Sequence, residues 1–100
     1  MDIVEVSNHA GNLDGVRRKE CEGLLRWYVD NRLVARQEDA ETLLIRSDFD
    51  DRERLVDSHP ATFSVPPAIE GHMKVLADLR RGDPGAIREA VTAAWELQRR

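Results

Sequence analysis

The stretch from Pro84 to about Gln98 most restricts how this chain can fold. Asp83-Pro84 opens it as a helix. An Asp side chain there caps the free amides of the first turn, and proline fits the first helical position because its missing N–H would have no partner anyway. Ile87, Ala90, Val91, Ala94, Trp95 and Leu97 then fall on one stripe, with Arg88, Glu89, Thr92, Glu96 and Arg99 on the other face. Such a helix must lay its stripe on another apolar surface. The rest of the chain predicts a sheet for it to cover, with Ile87 and Trp95 as core anchors.

The β signals begin after a polar, partly basic segment, Gly15 to Glu22, which reads as a connection or a short edge strand. Leu24-Leu25-Arg26-Trp27-Tyr28-Val29 is rich in aromatic and branched residues. Asp30-Asn31 tolerates the positive φ of a two-residue turn. Arg32 to Gln37 forms the return strand, with Arg32, Val34 and Arg36 alternating against Leu33, Ala35 and Gln37. Glu38-Asp39-Ala40 is the next turn and Glu41 to Arg46 the third strand. Strands on such short turns form an antiparallel meander. Asp48 to Ser58 shifts to helical period, with acids in its first turn and Pro60 beyond its end. Residues 61–65 and 72–79 read as two further strands. At the start, Ile3, Val4, Val6, Ala10 and Leu13 sketch a short helix ending near Gly11. Ser7, Asn8, Gly11 and Asn12 count against it, since such residues favour turns and caps. The expected fold is α+β: a two-layer sandwich of about five antiparallel strands, covered by N- and C-terminal helices, with a short helix between strands. One domain spans residues 1–100.

Composition limits the function classes. The chain has 41% apolar and 34% charged residues, the pattern of a folded domain with a charged surface. Its net charge of −4 argues against nucleic-acid binding by the whole surface, while leaving room for a local basic patch. A single cysteine, Cys21, excludes an internal disulfide. No apolar run reaches the length of a membrane span, and Met1-Asp2-Ile3-Val4-Glu5 lacks the pattern of a signal peptide. A cytoplasmic protein with no membrane partner, monomeric or weakly dimeric, is the expectation.

Signatures of catalysis and metal binding are missing. His9, Cys21, His59 and His72 are scattered singly, without the paired spacing of a metal site. Asp48, Asp50 and Asp51 lack the glycine and distal glutamate of a calcium loop. Ser7, Ser47, Ser58 and Ser64 stand in no nucleophile-elbow context, and no glycine-rich phosphate loop occurs. Neither enzymatic activity nor a cofactor is expected. The basic residues offer more. Arg17, Arg18 and Lys19 precede the first long strand, and Arg26, Arg32, Arg36 and Arg46 can share a sheet surface with Trp27 or Tyr28. Basic side chains interleaved with aromatics hold nucleic acid through phosphate contacts and base stacking. The plainer expectation is a solvated face whose arginines pair with Glu20, Glu22, Glu38 and Glu41.

The segments Arg26-Trp27-Tyr28-Val29-Asp30-Asn31-Arg32-Leu33-Val34-Ala35-Arg36, Pro60 to Val65, His72 to Leu79, and Asp83-Pro84-Gly85-Ala86-Ile87 running into Ala94-Trp95-Glu96-Leu97 together resemble the MmcQ/YjbR-like family. The resemblance spans roughly residues 13–98. It implies a two-layer α+β fold similar to frataxin-like and double-wing domains. It also implies a DNA-binding or regulatory role, the label usually given to members on fold similarity. The basic and aromatic positions read above supply the candidate contacts for such a role, Arg17, Arg18, Lys19, Arg26, Tyr28, Arg32 and Arg36, and the expected partner is DNA. The alternative is an interaction domain for protein or a small ligand. Leu13-Asp14-Gly15-Val16 stands where the family carries Leu-Pro-Gly-Val. A frataxin-like iron role would need an acidic ridge, and the first helix offers only Asp2, Glu5 and Asp14.

Overall fold

A computed structural model describes residues 1–100. The chain runs α1 (Ile3–Gly11), β1 (Arg17–Cys21), β2 (Leu24–Val29), β3 (Arg32–Asp39), β4 (Thr42–Arg46), α2 (Phe49–Ser58), β5 (Phe63–Ser64), a single 3₁₀ turn (Pro67–Ile69), β6 (Lys74–Asp78) and α3 (Pro84–Gln98). The strands form one antiparallel sheet in the order β1-β2-β3-β4-β6-β5. The α+β architecture is the expected one, with six strands rather than about five. The sixth is β1, the segment that reads as either a connection or a short edge strand; it is the edge strand, with all five residues exposed.

One core of 17 buried residues joins the inner face of the sheet to α1 and α3. Trp27, Val29, Ala35, Leu43, Ile45, Val75 and Ala77 enter it from the strands, Val6 and Ala10 from α1, and Ile87, Ala90, Val91 and Ala94 from α3. Leu55 and Val56 of α2 pack against its margin. All three helices therefore lie on one side, and the outer face of the sheet has no covering layer.

The caps follow the sequence. Asp83 accepts from the amides of Gly85 and Ala86, Asp48 from Asp51, and Asp2 from Glu5. The first helix forms despite its polar residues because Val6 and Ala10 are fully buried and its side chains tie it to α3. His9 Nε2 donates to the Arg88 carbonyl at 3.0 Å, and Glu5 meets Arg88 at 3.5 Å. Arg52 does similar work for α2. Its guanidinium donates to the carbonyls of Ile69, Glu70, His72 and Lys74, pinning the irregular segment before β6.

Asp30 and Asn31 have φ of 51° and 65° and make the two-residue turn the sequence predicts. A second such turn, Glu22-Gly23, joins β1 to β2. The β3–β4 turn differs from the expectation. β3 continues to Asp39, and Ala40-Glu41 turn instead, with a bulge between Gln37 and Asp39.

Trp95 is also corrected. It lies at the flank of the apolar stripe, against the loop after α1, and is only partly buried. Its Nε1 donates to the Asp14 carbonyl at 2.8 Å, and the Arg99 guanidinium sits 4.1 Å from its ring centre. The fully buried tryptophan is Trp27.

Candidate nucleic-acid interface

Register decides which basic residues meet. Directly paired residues on neighbouring antiparallel strands point to the same face. Trp27 is buried in the core, so its partners Arg18 and Ala35 face the helices. Lys19, Arg26 and Arg36 are paired in line across β1, β2 and β3, and this line falls on the outer face. Arg17 and Tyr28 form the adjacent pair on the same face. Neighbouring strands are about 4.8 Å apart, so the three cations span roughly 10 Å.

The bulge between Trp27 and Tyr28 breaks the simple alternation expected of β3. Val34 and Ala35 are both buried as a result. Arg32 and Arg36 end on opposite faces. Arg32 pairs with Val29 and reaches the far end of α3, donating to the Arg100 carbonyl at 2.8 Å. Arg18 crosses toward α1 and donates to Ser7 Oγ at 3.1 Å. The outer face thus gathers Arg17, Lys19, Arg26, Tyr28 and Arg36 from the seven residues named in the sequence, and leaves out Arg18 and Arg32. Arg46 borders a separate cleft between α2 and α3.

This surface is poorly neutralised. Arg36 pairs with Glu38 at 2.8 Å, and Glu41 approaches Arg80 at 4.0 Å. Glu20 and Glu22 make no ion pair, and neither do Arg17, Lys19 and Arg26. The expected pairing with carboxylates is therefore formed at Arg36 alone. The chain's acidic balance resides elsewhere, notably on α2 with Asp50, Asp51, Glu53 and Asp57.

Tyr28 is the aromatic centre. Lys19 Nζ stands 5.2 Å from its ring centroid, a cation–π distance. Arg17, Lys19, Tyr28 and Asn31 line a hollow of about 170 Å³. Arg26 lies beside the Tyr28 hydroxyl, without a fully formed hydrogen bond. That proximity, followed by the Cys21 thiol, pushes the already high pKa of Arg26 further up. Leu44, paired with Arg36 and Leu76 on this face, is buried although it lies outside the core. Long basic side chains cover apolar neighbours in this way while holding their charges in water.

Other chemistry is sparse. No group of three or more His, Cys, Asp and Glu is arranged to hold a metal ion. In the α2–α3 cleft of about 290 Å³, Asp48 caps its helix and Asp51 pairs with Arg54. No helix is long and apolar enough to cross a membrane. No known protein family, curated protein or solved structure matches the chain.

Proposed function

We propose that this chain is a nucleic-acid-binding module that lays a single strand across the outer face of its sheet. The observation that carries the reading is the in-line row Lys19, Arg26 and Arg36 beside the accessible ring of Tyr28. Like charges placed directly opposite one another on neighbouring strands destabilise a sheet. A polyanion bound over the row turns that repulsion into attraction. The open sheet face suits a single strand better than a duplex, since all three helices lie on the other side and none can enter a groove from it. Phosphates would meet Arg17, Lys19 and Arg26, with Arg36 held by Glu38, and a splayed base would stack on Tyr28. The sequence resemblance to MmcQ/YjbR-like proteins, labelled DNA-binding on fold similarity, supports the same reading. Any regulatory role would follow from such binding.

Fluorescence anisotropy at low salt, with labelled single-stranded and duplex DNA of the same sequence, tests the proposal. The expected result is salt-sensitive binding that favours the single strand and weakens in Tyr28→Ala. No binding of either form at tens of micromolar protein would sink it.

A further inference from the structure

We infer that the cleft between the last turns of α1 and the paired strands β1 and β2 is a binding site for a small carboxylate. It lies on the opposite face from the basic row and does not rest on the nucleic-acid reading. The decisive atom is Trp27 Nε1. Trp27 is 0% exposed, and its indole N–H has no partner. An indole nitrogen can only donate, and a buried donor without an acceptor is destabilising. Trp95, at the rim, satisfies the same group with the Asp14 carbonyl. Phenylalanine at position 27 would supply an aromatic ring to the core without the orphaned donor.

Trp27 is part of the lining of a cleft of about 350 Å³, within the range of small-molecule sites. Ser7 and Asn8 of α1, its C-cap Asn12, and Arg18 of β1 line it too. These helix residues, with Gly11, are the ones that made α1 hard to read in the sequence. Asn8 and Asn12 are four apart, on one side of the helix, and neither side-chain amide bonds within the protein. Arg18 faces the cleft from the strand opposite Trp27, bonded only to Ser7 Oγ and to no carboxylate. Poor helix formers concentrated on one side of a helix, above a buried unpaired donor, are the kind of local conflict that marks a binding site.

The lining sets the ligand's chemistry. An arginine, an indole N–H and two amide groups without internal partners call for an oxygen acceptor with negative charge. A carboxylate matches the fork of a guanidinium with two parallel bonds. The cleft also abuts the C-terminal end of α1, the negative end of its dipole, which penalises a doubly charged phosphate more than a singly charged carboxylate.

Uniform nitrogen-15 labelling gives two indole N–H resonances among the amides, and Trp95→Phe assigns them. In wild-type protein, acetate and propionate titrated at constant ionic strength should move the Trp27 resonance saturably in the millimolar range, with Trp95 as internal reference. Arg18→Gln, at an exposed position, should weaken binding at least tenfold. Gly11→Leu should do the same by filling the cleft, since a Cβ at Gly11 meets nothing within 4 Å. Retention of the remaining amide spectrum shows that each variant is folded. A Trp27 resonance unmoved by both carboxylates overturns the inference. So does an undiminished response in Arg18→Gln, and so does inorganic phosphate that binds more tightly than either carboxylate.

Discussion

Replacing Arg26 with threonine separates what the basic row contributes to binding from what it costs the fold. Arg26 is the middle cation, with Lys19 on one side and Arg36 on the other. Threonine keeps a strand-favouring side chain at a half-buried position. Arg36 is already engaged by Glu38, so Arg17, Lys19 and Arg26 are the cations available to phosphates. At about 0.7 counterions released per single-strand phosphate, three contacts give a log–log salt slope near −2, and two give about −1.4. A fourfold rise in salt should then weaken wild-type binding by roughly 20-fold and the variant's by roughly sevenfold. The fold should respond in the opposite sense. Two like-charge cross-strand pairs disappear, so Arg26→Thr should melt at a higher temperature than wild type in low salt, and the gain should shrink as salt screens the row. Anisotropy across a potassium chloride series and thermal melting in the same buffers provide both readouts. An unchanged salt slope, or a melting temperature below that of wild type, would refute the reasoning.

Gly82→Ala should destabilise the protein by about 1–3 kcal/mol, read by urea denaturation. An added Cβ there collides with the Asp78 carbonyl, which is backbone and cannot swing away, and comes within 2.8 Å of Thr62 Cγ2 and 3.0 Å of Ile87 Cδ1. Trp95→Ala should cost about 2 kcal/mol, below the 3–5 of a fully buried aromatic, because it loses partial packing and one hydrogen bond. A loss above about 4 kcal/mol would return Trp95 to the core. Asp39 accepts from the Glu41 amide, and this bond, with help from Thr42, holds its pKa below the usual carboxylate range. A depressed folded-state pKa stabilises above the unfolded carboxylate value and loses its effect as pH falls through the folded one. The melting advantage of wild type over Asp39→Asn should therefore be present at neutral pH and shrink as the pH falls below the ordinary carboxylate range. A difference independent of pH would contradict that assignment.

The fold was legible where local chemistry and burial agree. Asp83-Pro84 and the stripe behind it place α3 at its observed ends, and the alternation of Met73, Val75, Ala77 and Leu79 marks the inner face of β6. Asp30-Asn31 announces its turn because few residue pairs tolerate those angles. Legibility ended where one inserted residue changes the outcome. A bulge leaves no composition signature, yet the one at Val34 sends Arg32 and Arg36 to opposite faces. Position across the stripe was equally hidden. The periodicity puts Trp95 on the apolar side of α3 but cannot show that it sits at the flank, against the loop after α1. The site was half legible for the same reason. Basic and aromatic types were visible in the strands, while their grouping depends on register.

The guanidinium of Arg52 has a bearing on time rather than shape. It is bonded to carbonyls spread from Ile69 to Lys74, so a single side chain holds much of the path between β5 and β6. The intervening stretch has few bonds of its own, chiefly those closing the 3₁₀ turn and the His72 amide on the Ile69 carbonyl. Its excursions should therefore begin with release of one residue on α2, and the whole stretch should come loose together rather than fray residue by residue. A protease would find its first cut here, and the frequency of that release would set how long the native chain survives it.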